Sequence, residues 1–238
     1  MFGAAMQAWG RRMADRVMGP LSRTAVTPNT LTVLGLVLNL LTAMILAQGW
    51  LFAGGVGLLV AGVFDMFDGA LARVKGAGST FGAFFDSTLD RLAEAVVLLG
   101  LAWHFMNSSG AERVGAATLA YLTIIGSLMI SYARARAEGL GLECKVGLVA
   151  RPERVIILAL GLLLTPPFGP SAVIAALIVL TVSTFGTVAQ RIYHVWKATL
   201  PTVEAPATAG IGAGRPRIQQ PAPAQPESGV GKKRAVSP

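Results

Sequence analysis

Apolar stretches long enough to cross a lipid bilayer recur along the chain, and no other feature constrains its fold as much. A bilayer core takes about 20 apolar residues per helix. Spans are expected near Leu31–Ala47, Leu51–Leu71, Phe81–Phe105, Ala116–Arg134, Arg154–Thr165 and Ser171–Val195. Hydrocarbon offers no water to an unpaired backbone group, so each span must satisfy its own N–H and C=O groups as a helix. The fifth is short, and Pro152 suits a first helical turn, so this helix is expected to extend into the preceding segment.

Composition agrees. Of the 238 residues 53% are hydrophobic and 13% charged, about half the ~25% charge of soluble domains. This excludes a disordered chain and an ordinary soluble domain. A single cysteine, Cys144, excludes an internal disulfide and a thiol-based zinc cluster. The 20 Lys and Arg against 12 Asp and Glu leave a net charge of +8, which in so apolar a chain points to the membrane surface. Basic residues cluster before the first span, after the second, around the fourth link and at the end. With six spans and both termini cytoplasmic, only Arg113 falls on the opposite side, as the positive-inside rule requires.

The expected fold is therefore an all-α integral membrane protein with six transmembrane helices and an N-terminal amphipathic helix. Met6, Trp9, Met13 and Val17 alternate with Arg11, Arg12 and Arg16 at helical spacing, so residues 1–28 are read as an interfacial helix and lead-in. The arginines follow the first apolar residues, unlike a cleavable signal peptide. Residues 29–198 form the six-helix domain. Residues 199–238, rich in Pro, Ala, Gly and Gln, are read as a disordered cytoplasmic tail.

The second span ends FDMFDGALAR and the third begins FGAFFDSTLDRLAEA, which puts Asp65, Asp68, Asp86 and Asp90 in or beside apolar helices. An ionised Asp at mid-helix costs roughly 2.5–3.5 kcal/mol, so four unpaired would cost on the order of 10 kcal/mol. Asp65 and Asp68 are three apart and Asp86 and Asp90 four apart, so each pair shares one helix face. The short link is expected to make the two helices antiparallel neighbours and to gather the carboxylates near the cytoplasmic boundary. An all-oxygen cluster selects hard cations, Mg²⁺ or Mn²⁺. Gly69 and Gly82 allow close approach of a ligand, and Arg73, one turn past Gly69, can present a guanidinium to phosphate. Together these suit a held diphosphate.

The pattern Asp65-x-x-Asp68-Gly69-x-x-Ala72-Arg73, eight residues, then Gly82-x-x-x-Asp86-x-x-x-Asp90 resembles the signature of the CDP-alcohol phosphotransferases at every position. The likeness extends to the six-span layout and to Thr27–Pro28–Asn29 before the first span. It implies two divalent cations among Asp65, Asp68, Asp86 and Asp90, a CDP-linked lipid donor, and Asp90 as the general base for the acceptor hydroxyl. It also implies that Gly69, Arg73 and Gly82 accommodate the cytidine nucleotide, with Asn29 and Thr32 beside it. Those last two have a competing role as helix-start residues.

The signature leaves the acceptor open. Several arginines near the cytoplasmic mouth suit an acceptor that carries its own phosphate, although positive-inside anchoring explains Arg136 and Lys145 equally well. The Arg134-Ala-Arg136-Ala-Glu138 and Arg151-Pro152-Glu153-Arg154 runs and the late Gln190–Arg191 resemble the actinobacterial phosphatidylinositol phosphate synthases. That likeness implies transfer from CDP-diacylglycerol to inositol 1-phosphate, with Arg134, Arg151, Arg154 and Arg191 at the acceptor phosphate, in a homodimer of the cell membrane. Arg134 departs from the Lys expected there. Archaeal enzymes making the ether-lipid counterpart share the basic pattern, and glycerol 3-phosphate would use the same arginines. Glu94, one turn past Asp90, either orients Arg91 or the base or packs between helices.

A cation transporter is the competing class, but it should carry ionisable residues at the midplane, reachable from both faces. Here the carboxylates lie toward one side and the first, fifth and sixth spans have no acidic residue. Nucleic acid is not expected as a partner.

Overall fold

The structure is a computed structural model that describes residues 26–76 and 79–200, with Asp68 described by its backbone alone. Of the expected interfacial segment 1–28 and tail 199–238, residues 1–25 and 201–238 lie outside the described residues. The regular elements among the described residues are all helices: α1 Pro28–Ala47, α2 Leu51–Lys75, α3 Thr80–Asn107, α4 Arg113–Gly139, α5 Arg151–Leu163, the one-turn α6 Thr165–Phe168, and α7 Pro170–Ala198.

Local chemistry sets the boundaries. The Thr27 hydroxyl accepts the Thr30 N–H at 3.2 Å, and Pro28 opens α1 where no N–H is needed. Gly76 ends α2 in the left-handed region at φ 59°, a conformation that glycine adopts without a Cβ penalty. The Ser79 hydroxyl caps α3 by accepting the Gly82 N–H at 2.9 Å. Pro152 lies in the first turn of α5, as expected, and Glu153 accepts the Ala150 N–H at 2.8 Å. The fifth helix does extend back, to Arg151, but is only 13 residues long, about 20 Å at 1.5 Å per residue.

The helices pack in a closed circuit: α1 on α2, α2 on α5, α5 on α7, α7 on α4, α4 on α3, and α3 back on α1. This differs from the expected pairing of α2 with α3, because α1 packs against both. Small residues admit it. A methyl on Gly100 of α3 would collide with the Ala43 carbonyl of α1, and one on Gly57 of α2 would lie 2.7 Å from the Thr42 hydroxyl. Leu46, Leu98, Leu101, Phe105, Leu158, Leu162 and Leu177 fill the interior.

Large apolar side chains cover the outside, among them Leu41, Met44, Val179 and Val182, which suits a lipid solvent. Four helices, α1, α2, α4 and α7, have the length and composition to cross a membrane. The 28-residue α3 is long enough but carries Asp86, Asp90, Arg91 and Glu94, while α5 is too short alone for a ~30 Å core.

Candidate active site

α2 and α3 each offer a carboxylate to α5. Arg151, the first residue of α5, stands between them: its Nη2 donates to Asp65 Oδ2 at 3.0 Å and its Nη1 to Asp90 Oδ2 at 2.8 Å. Nη2 also reaches the Asp90 carbonyl at 3.3 Å. All three side chains are largely shielded, with 20–29% of their surface exposed. The two carboxylates offset the cost of shielding the Arg151 guanidinium from water.

A second rung lies one turn deeper. Arg154 Nε and Nη2 donate to the two oxygens of Glu94 at 2.9 and 3.0 Å, and the Ser127 hydroxyl of α4 adds a bond to Glu94 Oε1 at 2.8 Å. Arg154 is 7% exposed. The rungs are parallel because Arg151 and Arg154 are three apart on α5 and Asp90 and Glu94 four apart on α3. Arg151, Arg154, Asp65 and Glu94 line a cavity of about 30 Å³, room for one water, together with Asn39 and Thr123. Asn39 is buried and donates to the Gly35 carbonyl at 2.9 Å.

Gly35 itself sets the distance between α1 and α2, since a Cβ there would lie 2.7 Å from Asp65 Oδ1. Its position in the apolar run TVLGLVL offers only a weak signal in sequence. The sequence signal for the Glu94–Arg154 rung is an acid one turn past Asp90 in an apolar helix, which calls for a cation, and a basic run, Arg151-Pro152-Glu153-Arg154, at the start of a later helix. Arg91 instead bonds the Ser87 carbonyl.

The other predicted residues fall into two groups. Asn29 and Gly82 adjoin, 3.5 Å separating Asn29 Oδ1 from the position of a Cβ on Gly82. Arg73 Nη1 lies over Gly69 by the same measure at 3.6 Å. Thr32 is buried and its hydroxyl donates to the Pro28 carbonyl at 3.2 Å, a back-bond within the helix, while the helix-start role weighed for it falls to Thr27. Among the basic residues, Arg134 is exposed and pairs with Glu138 at 2.8 Å. Arg191 is buried and bonds the Val146 carbonyl at 2.9 Å and the Ile130 carbonyl, tying the 140–150 segment to α4 and α7.

Asp86 is half-buried on α3, one turn before Asp90. Among the described side chains, which exclude Asp68, no three acidic, histidine or cysteine groups converge as metal ligands. The donor chemistry nonetheless fits a hard divalent cation: the carboxylates on α2 and α3 are all-oxygen ligands, and Asp65 and Asp90 already share a positive guanidinium.

Comparison with known proteins adds to this geometry. A sequence model of the CDP-alcohol phosphatidyltransferase family matches residues 25–193. The chain is 39% identical over 186 residues to the phosphatidylinositol phosphate synthase of Mycobacteroides abscessus, covering 77% of this chain and 84% of that protein. It is 35% identical over 188 residues to the archaetidylinositol phosphate synthase of Methanothermobacter thermautotrophicus, covering 79% and 92%. The crystal structure of the Mycobacterium tuberculosis phosphatidylinositol phosphate synthase with CDP-DAG bound superposes with a TM-score of 0.72 at 33% identity, covering 82% of this chain and 99% of that one. The same enzyme in complex with manganese and citrate gives a TM-score of 0.71 at 34% identity, covering 84% and 96%. With the aspartate signature carried on α2 and α3 and the family match running through all six long or half-length helices, the chain belongs to the CDP-alcohol phosphatidyltransferases, and it is a transferase.

Proposed function

We propose that the chain transfers the phosphatidyl group of CDP-diacylglycerol to inositol 1-phosphate, forming phosphatidylinositol phosphate and CMP. One observation carries the acceptor assignment: bacterial and archaeal relatives of similar identity differ in the lipid their names specify but share inositol phosphate. The signature aspartates on α2 and α3 support the reaction itself.

In this reading the acceptor hydroxyl oxygen bonds to the phosphorus bearing the lipid, the bond from that phosphorus to CMP breaks, and the hydroxyl proton passes to the Asp90 carboxylate. Asp65, Asp68, Asp86 and Asp90 would hold two divalent cations, Mg²⁺ or Mn²⁺, which when bound offset charge on the diphosphate and the departing CMP. A manganese complex of the M. tuberculosis relative supports that assignment. Asn29, Thr32, Gly69, Arg73 and Gly82 line the nucleotide side, and the nearness of Asn29 on α1 to Gly82 on α3 supports grouping those two. Arg134, Arg151, Arg154 and Arg191 serve the acceptor phosphate, Arg154 from behind, through its pairing with Glu94. The enzyme crosses the cell membrane six times as a homodimer, with both termini and the site cytoplasmic. The charge distribution supports that orientation.

The reaction is tested by CMP release from CDP-diacylglycerol with Mg²⁺ and, separately, inositol 1-phosphate, glycerol 3-phosphate and inositol. Release with inositol 1-phosphate alone is expected, and release only with glycerol 3-phosphate overturns the acceptor. The archaeal relatives favour one second reading, an ether-lipid CDP donor, which the same assay separates by exchanging the donor.

Two substitutions probe the site's walls. Gly35→Ala pushes the Asp65 carboxylate off its seat, and turnover is expected to fall about 10²-fold, the effect of ångström-scale misplacement, with little change in thermal stability. Arg191→Ala is expected to raise the acceptor KM by roughly 10- to 100-fold, as loss of a charged hydrogen bond of about 1.5–3 kcal/mol would, with the KM for CDP-diacylglycerol unchanged. Equal effects on both KM values would make Arg191 a purely structural tie.

A further inference from the structure

Arg151 and Arg154 stand one turn apart, yet their guanidiniums are served differently. Arg154 is buried, and two of its nitrogens meet both oxygens of Glu94, which Ser127 also holds. That bidentate pair has everything it needs. Arg151 reaches Asp65 with Nη2 and Asp90 with Nη1, but its Nε is buried with no hydrogen-bond partner. A buried donor left unserved costs about 1–3 kcal/mol, so this seat is incomplete for an arginine. The oxygens it occupies, Asp65 Oδ2 and Asp90 Oδ2, also belong to the two helices whose aspartates are assigned to the cations.

We infer that Arg151 is an exchangeable countercharge: it bridges Asp65 and Asp90 in the cation-free protein, a divalent cation displaces it, and the released guanidinium turns to the acceptor's phosphate. The inference rests on the proposed metal-dependent transfer to a phosphorylated acceptor. Two shielded carboxylates on different helices repel unless a positive group lies between them, and Arg151 supplies it. A divalent cation brings twice the charge and takes oxygen ligands only, so it competes with the guanidinium for the same carboxylates. Four aspartates and two divalent cations balance in charge, which leaves the Arg151 charge surplus and open to an anion. A phosphate matches the fork of an arginine and can serve Nε as well. The Glu94–Arg154 rung keeps the backbone of α5 in place, so the exchange needs only the Arg151 side chain to move.

Exchange couples the two ligands. Cation binding frees the group that grips the acceptor, and by linkage the acceptor strengthens cation binding by the same factor. The test is calorimetric titration of Mn²⁺ into the full chain in lipid nanodiscs, without nucleotide or acceptor, for the native protein, Arg151→Gln and Arg151→Lys. Removing the competitor in Arg151→Gln is expected to tighten Mn²⁺ binding about fivefold or more. Arg151→Lys keeps the charge but offers a single nitrogen in place of the fork that spans Asp65 and Asp90, so it competes less well and its Mn²⁺ affinity falls between the other two; it carries the test if the Gln variant does not fold. Mn²⁺ affinity equal to or weaker than native in the variants overturns the inference, as does no Mn²⁺ binding in any of the three.

A second titration, of inositol 1-phosphate with and without Mn²⁺, is expected to show Mn²⁺-enhanced binding in the native protein and none in Arg151→Gln. Enhancement that survives in Arg151→Gln overturns the inference. The first titration contains no acceptor, so a wrong acceptor assignment leaves its result standing. Inorganic phosphate in a parallel arm separates recognition of the phosphate from recognition of the inositol.

Discussion

Asp90→Asn is expected to lower CMP release by about 10²–10⁴-fold, the contribution of a positioned general base, while CDP-diacylglycerol still binds. The amide keeps the size of the carboxylate and one oxygen for Arg151 Nη1, now 2.8 Å from Asp90 Oδ2. What it loses is the capacity to take the hydroxyl proton as the acceptor attacks. Because Asp90 is also assigned to the cations, Mn²⁺ binding to the variant is measured alongside turnover. Retained Mn²⁺ and donor binding with turnover lost identifies the base. Turnover within tenfold of native moves that role to another group.

Arg154→Ala is expected to be the most destabilising single change in the bundle. It leaves Glu94 shielded with only the Ser127 hydroxyl of its described partners, and stranding one member of a buried ion pair costs about 3–5 kcal/mol. For a chain of this length, each kcal/mol shifts Tm by roughly 2–4 °C, so a fall on the order of 10 °C is expected in a thermal melt in nanodiscs. Glu94→Ala should do the same from the other side. The double variant Glu94→Leu with Arg154→Met is expected to recover more than half the loss, since an apolar replacement of both partners removes the stranded charge. A double variant as unstable as the singles would show that packing around the pair, not its charge, holds α5.

The sharing of helix faces by the aspartates could be read from the chain because helical periodicity is a local property. Spacings of three and four put Asp65 with Asp68 and Asp86 with Asp90 on shared faces without knowledge of any partner. The position of α1 is not local in this sense. A short link made α2 and α3 neighbours on paper, whereas α1 packs on both, by way of Gly57 opposite Thr42 and Gly100 opposite Ala43. Such contacts depend on the absence of a side chain at two distant positions, and that leaves no periodic trace. The arginines show the same limit. Arg151 and Arg154 look equivalent in the run Arg-Pro-Glu-Arg, and only the depth of each along α5 gives one a buried glutamate and the other two carboxylates at the mouth. The length of α5 was legible as a short apolar run, and the one-turn α6 after it follows from Pro166 and Pro167.

The bridge from Arg151 also has a bearing on how the protein is made. Asp65 precedes that arginine by 86 residues and Asp90 precedes it by 61. At about 5–20 residues per second, the ribosome needs roughly 4–17 s between Asp65 and its partner. Throughout that interval the first three helices must enter the bilayer without any countercharge from α5. The same acids that serve the finished enzyme therefore make its N-terminal half costly to insert, and truncation between Asp90 and α5 should yield a nascent chain that membrane quality control removes.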